Sequence, residues 1–328
     1  MSDLTDVICL DETQFEEQMK NVAEPILSKA RQSGFLALQT GELYYELYSQ
    51  KDAKAVIVIC HGFSESERKY DEFIYYLIKA GFQVAIYDQR GHGKSLREGT
   101  NDNVVHIKYF KDYVEDLHLF VGKIVKPFAD GKSLYLYGHS MGGCVGALYL
   151  QEYPGDFQKA VLNAPMLRLQ MGLCPLFIAK AICDVKILLG KGSDRLFFQG
   201  DFDPLEPFAN SCATSEARHN YYHTIRRENA CYQSSSASYS WGSQSILAGR
   251  QVMRKRNIKK INIPVMVFLA GKDNQVKENA LYKFVRELPN GKMIRCAETN
   301  HEIYRSQNTE LNKYLTQMVE FFNYTHNS

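Results

Sequence analysis

No C-x-x-C pair occurs among the eight cysteines of this 328-residue chain, and none has a histidine beside it at metal-ligand spacing. Neither a zinc site nor a disulfide framework is indicated, so positions 9, 60, 144, 174, 183, 212, 231 and 296 read as reduced thiols of a cytoplasmic protein. An excess of one charge is lacking too: 39 Lys and Arg against 37 Asp and Glu leave +2, which argues against nucleic acid or a strongly acidic partner. The longest nearly charge-free apolar stretch, Leu169 to Ala179, falls well short of the roughly 20 residues that cross a bilayer. The acidic start, with Asp3, Asp6, Asp11 and Glu12, carries no basic segment followed by an apolar run, so no secretory signal is expected. Internal repeats and long low-complexity tracts are absent as well. The length allows one large α/β domain with an insertion, or two domains.

What is present centres on SLYLYGHSMGGCVGALYLQEYP, residues 133–154. The apolar run Leu134 to Tyr137 ends at Gly138-His139-Ser140-Met141-Gly142-Gly143, and a helical pattern follows until Pro154. Strand, tight turn and helix in this order make G-x-S-x-G a nucleophile elbow: glycines two residues either side of the serine admit a sharp turn where side chains would collide. The helix beginning behind Ser140 points unpaired N–H groups and the positive end of its dipole at charge forming beside the serine.

The rest of the chain alternates around this stretch. Residues 11–32 read as a helical arm opened by a capping box of Thr13 with Glu16 and interrupted by Pro25. FLALQT and ELYYELYS, joined at Gly41, form a hairpin pattern. AVIVIC (55–60), FQVAIYD (82–88), KAVLNAP (159–165), PVMVFLAG (264–271) and KMIRCAE (292–298) read as further strands, separated by amphipathic helical stripes such as Tyr70, Phe73, Ile74 and Leu77. The alternation predicts a mostly parallel, doubly wound sheet. It fails from Met166 to about Tyr239, which reads as a helical cap set above the carboxyl edge of the sheet and shaping an apolar channel to Ser140. The expected organisation is an arm (1–32), a core in two parts (33–165 and 240–328) and a cap insertion (166–239). The glycine-rich loop Gln89 to Ser95 lacks phosphate-loop spacing and reads as a structural turn. Cys60 and Cys144, near the site in sequence, read as small apolar core residues.

A serine hydroxyl needs a base, and the base needs an acid to fix its tautomer. Ser140, Asp273 and His301 occur in the order Ser, Asp, His, with the acid and the base each following a predicted strand. Glu278 is the alternative acid, but it lies inside the next helix, and His326 sits in the terminal tail. The backbone N–H groups of Phe63 and Met141 are the expected oxyanion donors. His61 reads as a loop-fixing residue in preference to a base, because it falls too early in the chain. The implied chemistry is two-step acyl transfer with no metal or organic cofactor.

HGFSESERKY, DQRGHGKS, YGHSMGG, LNAPM, AGKD and NHEIY resemble the corresponding segments of the bacterial lysophospholipases and monoacylglycerol lipases of the serine α/β-hydrolase superfamily. The likeness spans nearly the whole chain. In the cap region the segments Asp203 to Tyr222 and Ser238 to Val252 (SYSWGSQSILAGRQV) are similar to the lysophospholipase branch. The resemblance implies the α/β-hydrolase fold, a triad of Ser140, Asp273 and His301, an oxyanion hole at Phe63 and Met141, and hydrolysis of a lysophospholipid or monoacylglycerol. An apolar cap accords with lipid access at a membrane surface, such as the inner face. One departure is the bulky Phe63 where monoacylglycerol lipases often carry a small residue, which bears on acyl-pocket width. The S33 aminopeptidases share the core, so a small-ester carboxylesterase or an aminopeptidase is the alternative enzyme, and a ligand- or partner-binding member of the fold the non-enzyme alternative.

Overall fold

The computed structural model describes residues 9–170, 172 and 174–324. Asp3, Asp6 and His326 lie outside the described residues. The strands are β1 (Arg31–Ala37), β2 (Glu42–Tyr48), β3 (Val56–Cys60), β4 (Gln83–Tyr87), β5 (Val104–Val105), β6 (Leu134–His139), β7 (Lys159–Asn163), β8 (Ser236–Ala237), β9 (Val265–Ala270) and β10 (Gly291–Cys296). Eight of them form one sheet in the order β1-β2-β4-β3-β6-β7-β9-β10. The hairpin strand β2 is antiparallel to β1 and β4, and every other neighbouring pair runs parallel. This is the mostly parallel, doubly wound sheet that the alternation predicts.

The continuous apolar runs are explained by burial on both faces. Val56, Val58 and Cys60 enter one apolar cluster and Ile57 and Ile59 the other; Val265, Val267 and Leu269 are divided from Met266 and Phe268 in the same way. The first cluster is covered by helices that include Lys111–Phe120, Met141–Glu152 and Tyr239–Val252, the second by the N-terminal arm, Asp71–Lys79 and Asn308–Asn323. Cys60 and Cys144 are fully buried, and burial pushes both thiols up to about 12, which suits inert core residues.

The arm departs from the sequence expectation in two respects. Its cap is Asp11, whose carboxylate accepts from the Thr13 N–H at 2.8 Å, because the first turn is a 3-10 turn starting at Glu12. Pro25 does not interrupt the helix: a π turn, Met19–Ala23, precedes it and the helix continues through Glu24–Ala30. The same device recurs at Val121–Val125 ahead of Pro127. A wider turn before a proline relieves the loss of its N–H and the clash of its ring.

Between Met166 and Tyr239 lie the helices Leu176–Leu188 and Glu216–Glu228, joined by irregular chain. The segment ends in β8, which pairs in parallel with β5 and so stitches the chain beyond the second helix to a core loop, a small sheet the sequence reading missed. Among the described residues no helix is long and apolar enough to cross a membrane.

Candidate active site

The winding of the sheet determines where the site lies. From β3 the chain moves to β4 on one side and then returns to β6 on the other, so β3 and β6 are paired neighbours whose connections diverge. A crevice forms at the carboxyl ends of such a pair. The loop with Phe63 leaves β3 there, and Ser140 leaves β6.

Ser140 holds φ 50° and ψ −115°, a conformation L-residues seldom adopt. The flanking glycines are required by contact. A Cβ on Gly142 would stand 2.1 Å from the Cys60 carbonyl oxygen, and one on Gly138 would stand 2.7 Å from that of Gly142. The Ser140 N–H bonds the Asn163 carbonyl at 3.0 Å, and its own carbonyl accepts from Cys144 and Met166 at 3.1 and 2.8 Å. The turn is therefore pinned from β7 and from its own helix.

Asp273 and His301 arrive on adjacent loops after β9 and β10, laced together by the Lys272 N–H on the Thr299 carbonyl at 3.0 Å. The His301 Nδ1–H donates to Asp273 Oδ2 at 2.7 Å, and Nε2 accepts from the Ser140 hydroxyl at 2.8 Å. A carboxylate only accepts, which assigns the proton on the ring to Nδ1. Burial acts to raise the Asp273 pKa, but the hydrogen bond and charge of His301 and the N–H groups of Gln275 and Val276 outweigh it and hold the carboxyl below its ordinary value. Glu278 opens the next helix beside Arg295, 3.6 Å away, and makes no bond to His301.

His61 is fully buried; its Nδ1–H donates to the Gly62 carbonyl at 2.7 Å and Nε2 accepts from the Gln89 N–H at 2.9 Å. Both nitrogens are committed, and burial lowers its pKa, so it fixes the loop as a neutral ring. The Gln89 to Ser95 loop is structural as well: the Asp88 carboxylate accepts from the Glu67 and Lys94 N–H groups at 2.8 and 2.9 Å.

Sequence reasoning missed the group behind the site. Buried Glu65 accepts from the Gly62 N–H at 2.5 Å, Tyr70 at 2.7 Å, Lys69 at 2.9 Å and Tyr304 at 2.9 Å. Lys69 also donates to Glu302 at 2.6 Å, and Arg305 to Glu302 at 2.7 Å. Burial opposes ionisation of Glu302, yet Lys69 and Arg305 bring its pKa down to about 2. The loop bearing Phe63 is thereby tied to the loop bearing His301. Acidic and basic residues four apart in ESERK, directly after a buried strand, were the available signal. His139 lies beside them, its ring 4.9 Å from that of His301; Asn163 Nδ2 donates to its Nδ1 at 2.8 Å. Burial brings the His139 pKa down to about 4, with Glu65 opposing and His301 assisting.

A cavity of about 590 Å³ opens on Ser140 and His301 and is lined largely by apolar side chains, among them Ile182, Leu196, Phe197, Trp241 and Ile246. The Phe63 ring lies against Trp241 with centroids 4.3 Å apart and narrows it on the β3 side.

Residues 51–308 match the model of the family described as serine aminopeptidase, S33. Lysophospholipase L2 of Escherichia coli K12 is 30% identical over 283 residues, covering 83% of this chain and 81% of that protein. A monoacylglycerol lipase of Mycolicibacterium smegmatis is 28% identical over 157 residues, 48% of this chain and 54% of that one. A soluble variant of monoglyceride lipase from Saccharomyces cerevisiae, solved with a substrate analog, superimposes with a TM-score of 0.73 at 16% identity, over 91% of this chain and 96% of that one. The chain belongs to the serine aminopeptidase S33 family of α/β-hydrolases, within its lysophospholipase- and monoacylglycerol-lipase-like group.

Proposed function

We propose that the protein hydrolyses the carboxylic ester of a single-chain lipid, a lysophospholipid or a monoacylglycerol, through an acyl-enzyme on Ser140. The observation that carries this reading is the continuous hydrogen-bonded chain from Ser140 through His301 to Asp273 at the floor of an apolar cavity. His301 Nε2 takes the proton as Ser140 Oγ attacks the ester carbon. Asp273 stabilises the imidazolium, and the proton passes to the leaving alcohol; water activated by the same nitrogen then releases the acid. In this reading the oxyanion is met by the N–H groups of Phe63 and Met141, the latter at a helix start where N–H groups have no intrahelical acceptor.

Of the described residues, those within 166–239 serve as a cap over a core drawn from 33–165 and 240–328, with those of 1–32 as an arm. In the helix Leu176–Leu188 the buried residues are Ala179 and Cys183, while Leu188 (85% exposed), Phe197 (77%) and Leu205 (81%) stand out to solvent, Phe197 also lining the cavity. Such a surface suits peripheral contact with lipid. Aminopeptidase action is disfavoured: the carboxylates lining the cavity, Glu65 and Glu302, are already paired with Lys69 and Arg305 and are not free for a substrate ammonium.

The test is labelling with a fluorophosphonate, comparing the wild type with Ser140→Ala and His301→Ala, followed by turnover of lysophospholipids, monoacylglycerols, short esters and amino-acid amides. Labelling lost in both variants, with preference for long single-chain esters, is the expected result. Labelling retained in Ser140→Ala, or preference for the amides, overturns the reading.

A further inference from the structure

A second cavity, about 570 Å³, lies on the other side of Met166, Leu169 and Ile246, which line both cavities. The wall is therefore side chains, and Met166 itself bonds Ser140 through its N–H at 2.8 Å. The second cavity's apolar lining includes Leu167, Leu176, Met253 and Phe177, the last 66% exposed; its charged lining is Arg168, Arg250 and Lys283, and among the described residues no Asp or Glu lines it. Among the described residues neither Arg168 nor Lys283 has a carboxylate partner.

A lining of apolar side chains and three cations, with no acidic group among the described residues, describes an amphiphile with an anionic head. A zwitterionic head fits less well, because nothing in this lining complements its cation. We propose that this cavity binds a long-chain fatty acid as its carboxylate, the acid product of the reaction, with the head on Arg168, Arg250 and Lys283 and the chain over Leu176, Phe177 and Met253. The identification of the ligand as product rests on the function proposed above; the binding does not. Its place one side chain from Ser140 makes it a station for the acid on its way out.

The experiment uses the whole protein after reaction with a long-chain alkyl fluorophosphonate, which occupies the first cavity. Mass spectrometry of the adduct tests the Ser140 reading separately. Calorimetric titration of the adduct with dodecanoate, and with uncharged dodecanol, tests the second cavity. The expected result is one equivalent of dodecanoate bound at least about tenfold more tightly than dodecanol, a preference that added salt and the Arg168→Glu/Lys283→Glu double variant both abolish. Both substituted residues are exposed, so the fold does not depend on them. No dodecanoate binding by the adduct, no preference over the alcohol, or unchanged binding in the double variant overturns the proposal.

Discussion

Ser140 sits at a φ of 50°, a strain of about 1–3 kcal/mol held in place by neighbours that leave no alternative path for the chain. In the proposed mechanism its reactivity depends on the two bonds of His301, and the more informative replacement is at the far end. Asp273→Asn keeps the size of the side chain while removing the charge that favours Nδ1–H and the imidazolium. Turnover of a soluble ester is expected to fall roughly 10⁴-fold with little change in KM, measured at steady state. His139 gives a pH signature. Its folded pKa of about 4 lies below the ordinary 6.5, so the unfolded chain takes up a proton that the folded protein refuses. The wild type should therefore lose stability relative to His139→Gln as pH falls from 6.5, by up to about 3 kcal/mol near pH 4, in denaturant titrations of both proteins. Ser140, Asp273 and His301 were legible as candidates at this scale because each follows a strand. The partners of Glu65 were not, since Tyr304 reaches it from 239 residues away.

The helix Glu216–Glu228 is held to the core by Arg218, whose Nε donates to both oxygens of Glu72 at 3.0 and 2.9 Å and whose Nη2 adds a bond at 2.7 Å. The Phe15 ring of the arm lies 5.1 Å from the same guanidinium, and Asn308 of the last helix accepts from it at 2.8 Å. One buried side chain thus joins cap, arm and core. Arg218→Met leaves the Glu72 charge buried without its partner and is expected to cost about 3–5 kcal/mol and to expose the cap to protease. Adding Glu72→Gln should recover most of that loss, because it removes the stranded charge; urea unfolding of the single and double variants measures both. The partners of Arg218 were not legible in the sequence, because a charged stretch is as readily a solvated face. The π turns before Pro25 and Pro127 were hidden for a related reason: local propensity records the proline and not the packing that keeps the helix intact on both sides of it.

Across the whole molecule the core clusters are closed over by helices, whereas the cap presents Leu188 and Leu189 to solvent at 85% and 67% exposure. If this face meets a lipid surface, replacing both with Asp should weaken partition onto anionic phospholipid vesicles at least about tenfold in a sedimentation assay. Turnover of a water-soluble short ester should be unchanged, since neither residue lines the cavity at Ser140. Unaltered partition would place membrane contact elsewhere on the protein.

Continuous apolar runs set between amphipathic helical stripes, glycines at the elbow and residue order at strand ends are local properties, and they determined the doubly wound sheet, the elbow and the identity of Ser140, Asp273 and His301 as candidates. The pairing of β3 with β6, the ionic tie from Glu65 through Lys69 to Glu302, and the two cavities sharing one wall of side chains belong to the tertiary structure alone. They arise where segments far apart in the chain are pressed together, and there the cost of burying a charge depends on neighbours that no local pattern names.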